Sequence, residues 1–183
     1  MRIITGKLKG RKIPVPKTDL LRPTSDRAKE GLFSVLAARV YLDNYRVLDL
    51  FAGSGSLGFE AISRGAASCL FVDQEIRHIR HIDKLAASFN IEDQVQTLTI
   101  DVETFLEQDR GRFDLIFADP PYDYHLMEEM VEKIVGKKWL LDDGWFILEH
   151  DKGFNFEGHD NCVYSKAYGR TIVTIFKLNT EGF

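Results

Sequence analysis

This 183-residue chain is poor in cysteine, in proline and in long apolar runs, and each shortage closes off a class of protein. Its two cysteines, Cys69 and Cys162, each stand inside an apolar, strand-like segment. They read as reduced core residues of a cytoplasmic protein, not as a disulfide frame or a metal pair. No segment is apolar over the ~20 residues that a membrane-spanning helix requires. Met1-Arg2-Ile3-Ile4-Thr5-Gly6 lacks the apolar stretch and small-residue cleavage site of a secretory leader, so the expected location is the cytoplasm. Repeats, low-complexity tracts and interdomain linkers are missing too. What remains is one ordinary domain with room for a full α/β core and a short appendage.

Charge is present but unevenly spread. Residues 1–29 hold nine Lys/Arg against two Asp, a balance of +7, which leaves −11 for the rest of a chain whose net charge is −4. A basic arm on an acidic body predicts a nucleic-acid footprint confined to one face, carried by Lys7, Lys9, Arg11 and Lys12 and, nearer the core, by Arg22, Thr24 and Arg27. A pI of 5.7 excludes indiscriminate polyanion binding.

The order of elements is legible from periodicity. Residues 2–16, with Gly6 and Gly10 as turn residues, predict a small β-ribbon beyond the main core, ending at Pro14 and Pro16. From Asp26 to Leu42, Ala28, Leu32, Phe33, Leu36 and Val40 recur at helical spacing, with Thr24 or Ser25 placed to cap the helix. Strands are then expected over 47–51, 69–72, 95–100, 113–118 and 145–149. Helices between them are expected over 55–64, 75–89, 103–108 and 126–135. Such alternation specifies a parallel sheet covered on both faces. Cys162–Tyr168 and Thr171–Leu178, joined by Gly169-Arg170, are too close for a crossover and must form an antiparallel hairpin.

Chemistry is concentrated where two of these strands end. Asp119-Pro120-Pro121-Tyr122 follows the apolar run Phe113–Ala118. Two prolines hold φ near −65° and donate no hydrogen bond, and each pushes the residue before it toward extended backbone. The corner so formed fixes a carboxylate, a carbonyl and an aromatic ring in one small space. That set suits a planar ring bearing an exocyclic amine: carboxylate and carbonyl accept its two N–H bonds while Tyr122 stacks on its face. A plain tight turn is the competing reading.

The second site is the loop after the first core strand, Asp49-Leu50-Phe51-Ala52-Gly53-Ser54-Gly55-Ser56-Leu57-Gly58. Its glycines match G-x-G-x-x-G, a pattern that by itself does not separate dinucleotides from other cofactors. Asp49 would repel a pyrophosphate but complements the ammonium of a methionine moiety, which favours S-adenosylmethionine over NAD. Asp73 can accept both ribose hydroxyls of either cofactor. Asp101 can accept from an adenine amine or cap the short helix after it; the sequence leaves both open. His78 and His81, three apart among Arg77, Arg80 and Lys84, read as a solvated basic face and not as metal ligands. Glu149 and His150 read as structural.

Taken together, Asp49–Gly55 and Asp119–Tyr122 resemble the two motifs of amino-group methyltransferases. Arg22-Pro23-Thr24-Ser25-Asp26-Arg27 ahead of Val47–Gly55 narrows the resemblance, over nearly the whole chain, to the RsmD-type family. Its bacterial members methylate the N2 amine of a guanine in small-subunit ribosomal RNA. The resemblance implies a class I methyltransferase fold: a doubly wound, mostly parallel seven-stranded sheet ending in an antiparallel hairpin. It implies a basic arm at residues 1–25 and a catalytic domain at 26–183. It further implies S-adenosylmethionine held by Asp49, Phe51–Gly55, Asp73, Gln74, Asp101 and Val102, and amine chemistry at Asp119–Tyr122. No metal and no membrane are expected, and a monomer acting on rRNA or on a small-subunit assembly particle is. One departure is Phe51, where many methyltransferases have glycine. Competing readings are an N6-adenine methyltransferase on DNA or RNA, and a nucleic-acid-binding module with a vestigial cofactor fold.

Overall fold

Apolar strands alternating with amphipathic helices bury both faces of a sheet, and that is the architecture found. The computed structural model describes residues 1–15 and 26–178, with the backbone alone for residues 26, 27, 137 and 138. In chain order the elements are α1 (Asp26–Ala37), β1 (Arg46–Leu50), α2 (Ser56–Ser63), β2 (Ser68–Asp73), α3 (Ile76–Phe89), β3 (Val95–Thr99), α4 (Val102–Leu106), β4 (Phe113–Ala118) and α5 (Met127–Lys133). They close with β5 (Leu140–His150), β6 (Cys162–Tyr168) and β7 (Thr171–Lys177). The seven strands lie in the order β3-β2-β1-β4-β5-β7-β6. The first five are parallel, and β7 runs antiparallel to both β5 and β6. This is the Rossmann-like sheet of class I methyltransferases, with its antiparallel C-terminal hairpin.

Strand alternation divides the core into two layers. Val47 of β1 faces Leu32 and Phe33 of α1, Phe59 of α2 and Ile82 of α3. Leu48 and Leu50 face the other way, toward Phe105 of α4, Met130 of α5 and Trp139. Strand order reverses between β1 and β4, and in open α/β sheets ligands bind at the carboxyl ends of the strands flanking that reversal.

Three expectations are corrected. The first helix stops at Ala37, and the amides of Arg39 and Val40 both turn back to the Leu36 carbonyl, so Val40 and Leu42 reach the core from a turn. Strand β5 starts at Leu140, five residues early, because a register shift opposite Phe113–Leu115 lets Leu140 pair before the regular ladder begins at Trp145. The ribbon is smaller than expected, with one antiparallel bridge between Arg2 and Lys12, and it is not beyond the core. Ile3, Leu8 and Ile13 are buried in the α1–α2–α3 layer.

The arm is anchored along α2. The Glu60 carboxylate, fully buried, accepts the amides of Ile4 (2.8 Å) and Thr5 (3.1 Å) and the Arg64 guanidinium (2.8 Å). Lys29 is also fully buried; its ammonium donates to the Arg2 carbonyl (2.8 Å) and to Ser56 Oγ (3.0 Å), and lies 3.8 Å from Glu60. At the other end of α2, Ser63 takes the amides of Lys7 (2.8 Å) and Leu8 (2.9 Å).

Candidate active site

The glycine loop is shaped by backbone angles that few side chains tolerate. Gly53 (φ 53°) and Gly55 (φ 76°) are left-handed, and a Cβ on Gly55 would come within 2.8 Å of the Phe59 ring. Phe51 is left-handed too, at φ 56°, which explains why glycine suits this position. Such a conformation costs a non-glycine residue about 1–2 kcal/mol. In compensation the Phe51 ring packs edge-on against Tyr124, 5.0 Å between centroids.

Two carboxylates hold this loop in place. Asp49 Oδ2 accepts the Gly58 amide at 3.0 Å, and the residue is only 2% exposed. Burial pushes its carboxyl well above the ordinary carboxylate range; the Gly58 amide opposes this, and the negative charges of Asp119 and Asp73 add to it. Asp73 accepts from Gly53 through Oδ2 and from Glu75 through Oδ1, both at 2.8 Å. An ionised carboxylate offers about four acceptor positions, and with His78 Nδ1 also beside Oδ2 about one is left for a ligand hydroxyl. His78 corrects the reading of its helix face: it is buried, with Nδ1 3.1 Å from Asp73 Oδ2. Half-buried His81 has its pKa lowered by burial. Among the described residues no cluster suited to a metal occurs.

Asp101 caps the short helix after it and also lines the cavity. Its Oδ1 accepts the Thr104 amide and Oδ2 the Thr104 hydroxyl, both at 2.8 Å, making it the N-cap of α4. Those bonds lower its pKa.

The proline corner follows the end of β4. Pro120 is buried, Asp119 half-buried and Tyr122 49% exposed; the Tyr124 amide closes the turn on the Pro121 carbonyl at 3.0 Å. Since β1 and β4 are paired neighbours, this corner stands beside the glycine loop. Together they line one cavity of about 730 Å³. Asp119, Pro120, Pro121 and Tyr122 all line it, as do Asp49, Phe51, Ala52, Gly53, Ser54, Asp73, Gln74, Asp101 and Val102. Gly55 does not; it serves the turn alone.

Residues 1–177 match the family model described as Conserved hypothetical protein 95. The chain belongs to the RsmD/YlbH-like methyltransferase family. It is 34% identical over 97% of its length to 98% of YlbH of Bacillus subtilis, a protein provisionally named an rRNA methyltransferase. To ribosomal RNA small subunit methyltransferase D of Haemophilus influenzae it is 36% identical, over 83% of this chain and 79% of that one. The solved structure of yhhF from Escherichia coli, provisionally named a methyltransferase, superposes with a TM-score of 0.82 at 31% identity over 96% of both chains.

The motifs account for only part of the wall. Glu103, Tyr124, Met127, His150, Arg170 and Thr171 also line the cavity. Tyr124 was within reach of the sequence, two residues past the proline corner; burial and a hydrogen bond to Glu103 push its hydroxyl pKa up. Arg170 and Thr171 gave no signal, because only sheet pairing brings the hairpin tip to this end. Glu149 and His150, read from the sequence as structural, are buried and line the cavity.

The arm meets the cavity at Met1 and Val15, but Lys7 and Arg11 lie away from it. Lys7 bonds the side chain of Gln94, which also reaches the carbonyls of Ala66 and Ala67 (3.3 and 3.2 Å), just ahead of β2 and β3. The Arg11 guanidinium lies over Phe89, the last residue of α3, at 5.7 Å. Both therefore sit at the amino ends of the parallel strands, a strand length of roughly 20 Å from the cavity. Arg22 and Thr24 lie outside the described residues, as does the side chain of Arg27.

Proposed function

We propose that this protein transfers a methyl group from S-adenosylmethionine to the exocyclic N2 amine of a guanine in small-subunit ribosomal RNA. The observation that carries the reading is the convergence of Asp119–Tyr122 and the glycine loop on one cavity at the β1/β4 reversal. The rRNA named for the Haemophilus influenzae relative supports the choice of substrate. The protein would act in the cytoplasm, as a monomer, on rRNA or an assembling small-subunit particle. Residues 1–25 would serve as its RNA-facing arm and 26–183 as its catalytic domain.

The walls fit the cofactor. Left-handed Gly53 opens the loop to close approach, Asp73 keeps acceptor capacity at the end of β2, and Asp49 supplies a buried carboxyl beneath. Gln74, Asp101 and Val102 would border the adenosine part, and Phe51, Ala52 and Ser54 the methionine part. When bound, S-adenosylmethionine supplies an electrophilic methyl group carried on sulfur.

The remaining work falls to placement and charge. Holding two reactants in near-attack geometry lowers a barrier by ~7–11 kcal/mol. Asp119 and the Pro120 carbonyl would accept the two N–H bonds of the guanine amine. This favours a pyramidal nitrogen with an available lone pair and stabilises the positive charge that develops as the N–C bond forms. The surplus proton then leaves the nitrogen for Asp119 or water. Tyr122 would stack on the base, splayed out of its helix or loop to reach the corner.

Lys7, Lys9, Arg11 and Lys12 would contact RNA that runs from the cavity along α2 toward the amino end of the sheet. Nucleoside mass analysis of rRNA from cells with and without the protein tests the reading. Loss of one N2-methylguanosine is expected. Loss of N6-methyladenosine instead would assign adenine, and an unchanged profile would defeat the proposal.

A further inference from the structure

Beside the cavity mouth lies a second hollow of about 540 Å³, lined by Tyr122, Asp151, Lys152, Gly153 and Arg170. It shares Tyr122, Asp151 and Arg170 with the main cavity, so the two stand side by side at the proline corner.

Both of its walls are fixed from beneath. On one side, Tyr168 packs over Gly31 of α1, where any Cβ would come within 2.4 Å of the ring. The Tyr168 hydroxyl also lies 3.2 Å from that of Tyr164, and left-handed Gly169 (φ 66°) then turns the chain to Arg170. On the other side, His150 is buried, and burial lowers its pKa, so the ring is neutral at pH 7. Its Nδ1–H donates to the Asp151 carbonyl, and its Nε2 accepts from the Thr174 hydroxyl, each at 2.8 Å. The Asp151 carboxylate turns back to accept the Gly153 amide at 2.8 Å, which leaves exposed Lys152 facing the hollow.

We infer that Arg170 and Lys152 hold the backbone phosphates flanking the target nucleotide while its base passes Tyr122 into the cavity. The inference rests on the proposed function. Asp73, Asp101 and Asp119 make the cavity interior negative, so a phosphate cannot follow the base inward and must be met at the rim. Cations beside an exposed aromatic ring are the means by which proteins bind single-stranded nucleic acid. Arg170 offers a planar fork suited to a phosphate and Lys152 a point charge. Lys7 and Arg11, at the opposite end of the sheet, cannot serve this position.

The test compares the native chain with a Lys152→Ala/Arg170→Ala variant and with Arg170→Lys. Three quantities are measured: binding of a fluorescein-labelled single-stranded RNA across a salt series, kcat and KM for methylation of small-subunit rRNA from a strain lacking the protein, and calorimetric affinity for S-adenosylhomocysteine. The double variant is expected to bind RNA more weakly, with a log affinity–log salt slope flatter by ~0.7 for each phosphate no longer held. KM for rRNA should rise while cofactor affinity stays put, and Arg170→Lys should recover part of the loss. Unchanged RNA affinity, slope and KM would overturn the inference, as would a loss of cofactor affinity. Should the native chain bind S-adenosylhomocysteine yet leave rRNA unmethylated, the proposed function fails, and the salt series still decides whether this hollow binds RNA.

Discussion

The two ends of the parallel sheet are built for opposite purposes. At the carboxyl end, Asp49, Asp73, Asp101 and Asp119 crowd around a cavity whose walls are loops at left-handed or proline-fixed angles. At the amino end, the arm is laid down on α2 by backbone hydrogen bonds to Ser63 and by the buried Glu60, with Lys7 engaged to Gln94. One end concentrates like charge, as functional sites commonly do. Along α2, between the two ends, the buried charges of Glu60 and Lys29 are paired. The difference separates a cavity from an anchored surface, and Lys7 and Arg11 fall on the second side.

The largest way to break this division is through the anchor. Glu60→Ala leaves the Lys29 ammonium buried without its counter-charge and orphans the amides of Ile4 and Thr5. Removing one partner of a buried pair costs about 3–5 kcal/mol. Urea denaturation should show a loss of that size; a change below about 1 kcal/mol would mean that the arm is not anchored as described.

Next in size is Asp119→Ala, at the opposite end. It should lower methyl transfer by ~10²–10³, the usual cost of one transition-state hydrogen bond, with stability and S-adenosylhomocysteine affinity nearly unchanged. Calorimetry showing loss of cofactor binding in a folded variant would move Asp119 from amine to cofactor.

Crowded charge at the carboxyl end also predicts a pH effect. Burial raises the Asp49 carboxyl above its unfolded value, so the folded state keeps its proton longer than the unfolded chain does. Stability from this group is complete below the ordinary carboxylate range and is lost as pH rises through the raised value. Asp49→Asn cannot ionise and still has an acceptor for the Gly58 amide. Its melting temperature should therefore fall less than the native chain's between about pH 4 and about pH 8. Parallel curves for the two proteins would rule out a buried, titrating Asp49.

The smallest effect sharpens the comparison most. Neutralising Lys7, Lys9, Arg11 and Lys12 together should leave cofactor affinity and kcat untouched. Any RNA that reaches the amino end would be revealed as a salt slope flatter by ~0.7 for each phosphate given up. A drop in kcat would show that the two ends are not separate.

Local pattern was enough to specify the alternating elements, the hairpin and the two motif loops, because strand and helix periodicities and proline or glycine angles are properties of a few adjacent residues. The same locality explains why Asp49, Asp73 and Asp119 could be assigned to one site: each lies at or near the end of a strand of a parallel sheet, and such strands end together. Tertiary structure alone decided that Glu60 and Lys29 are the buried anchor of the arm, and that Lys7 and Arg11 face away from the cavity. It alone brought Arg170, Lys152 and Tyr122 to one hollow from three separate segments. Charge content can be read along a chain, but which end of a sheet a charge occupies depends on packing between residues far apart in sequence, and no local pattern encodes that.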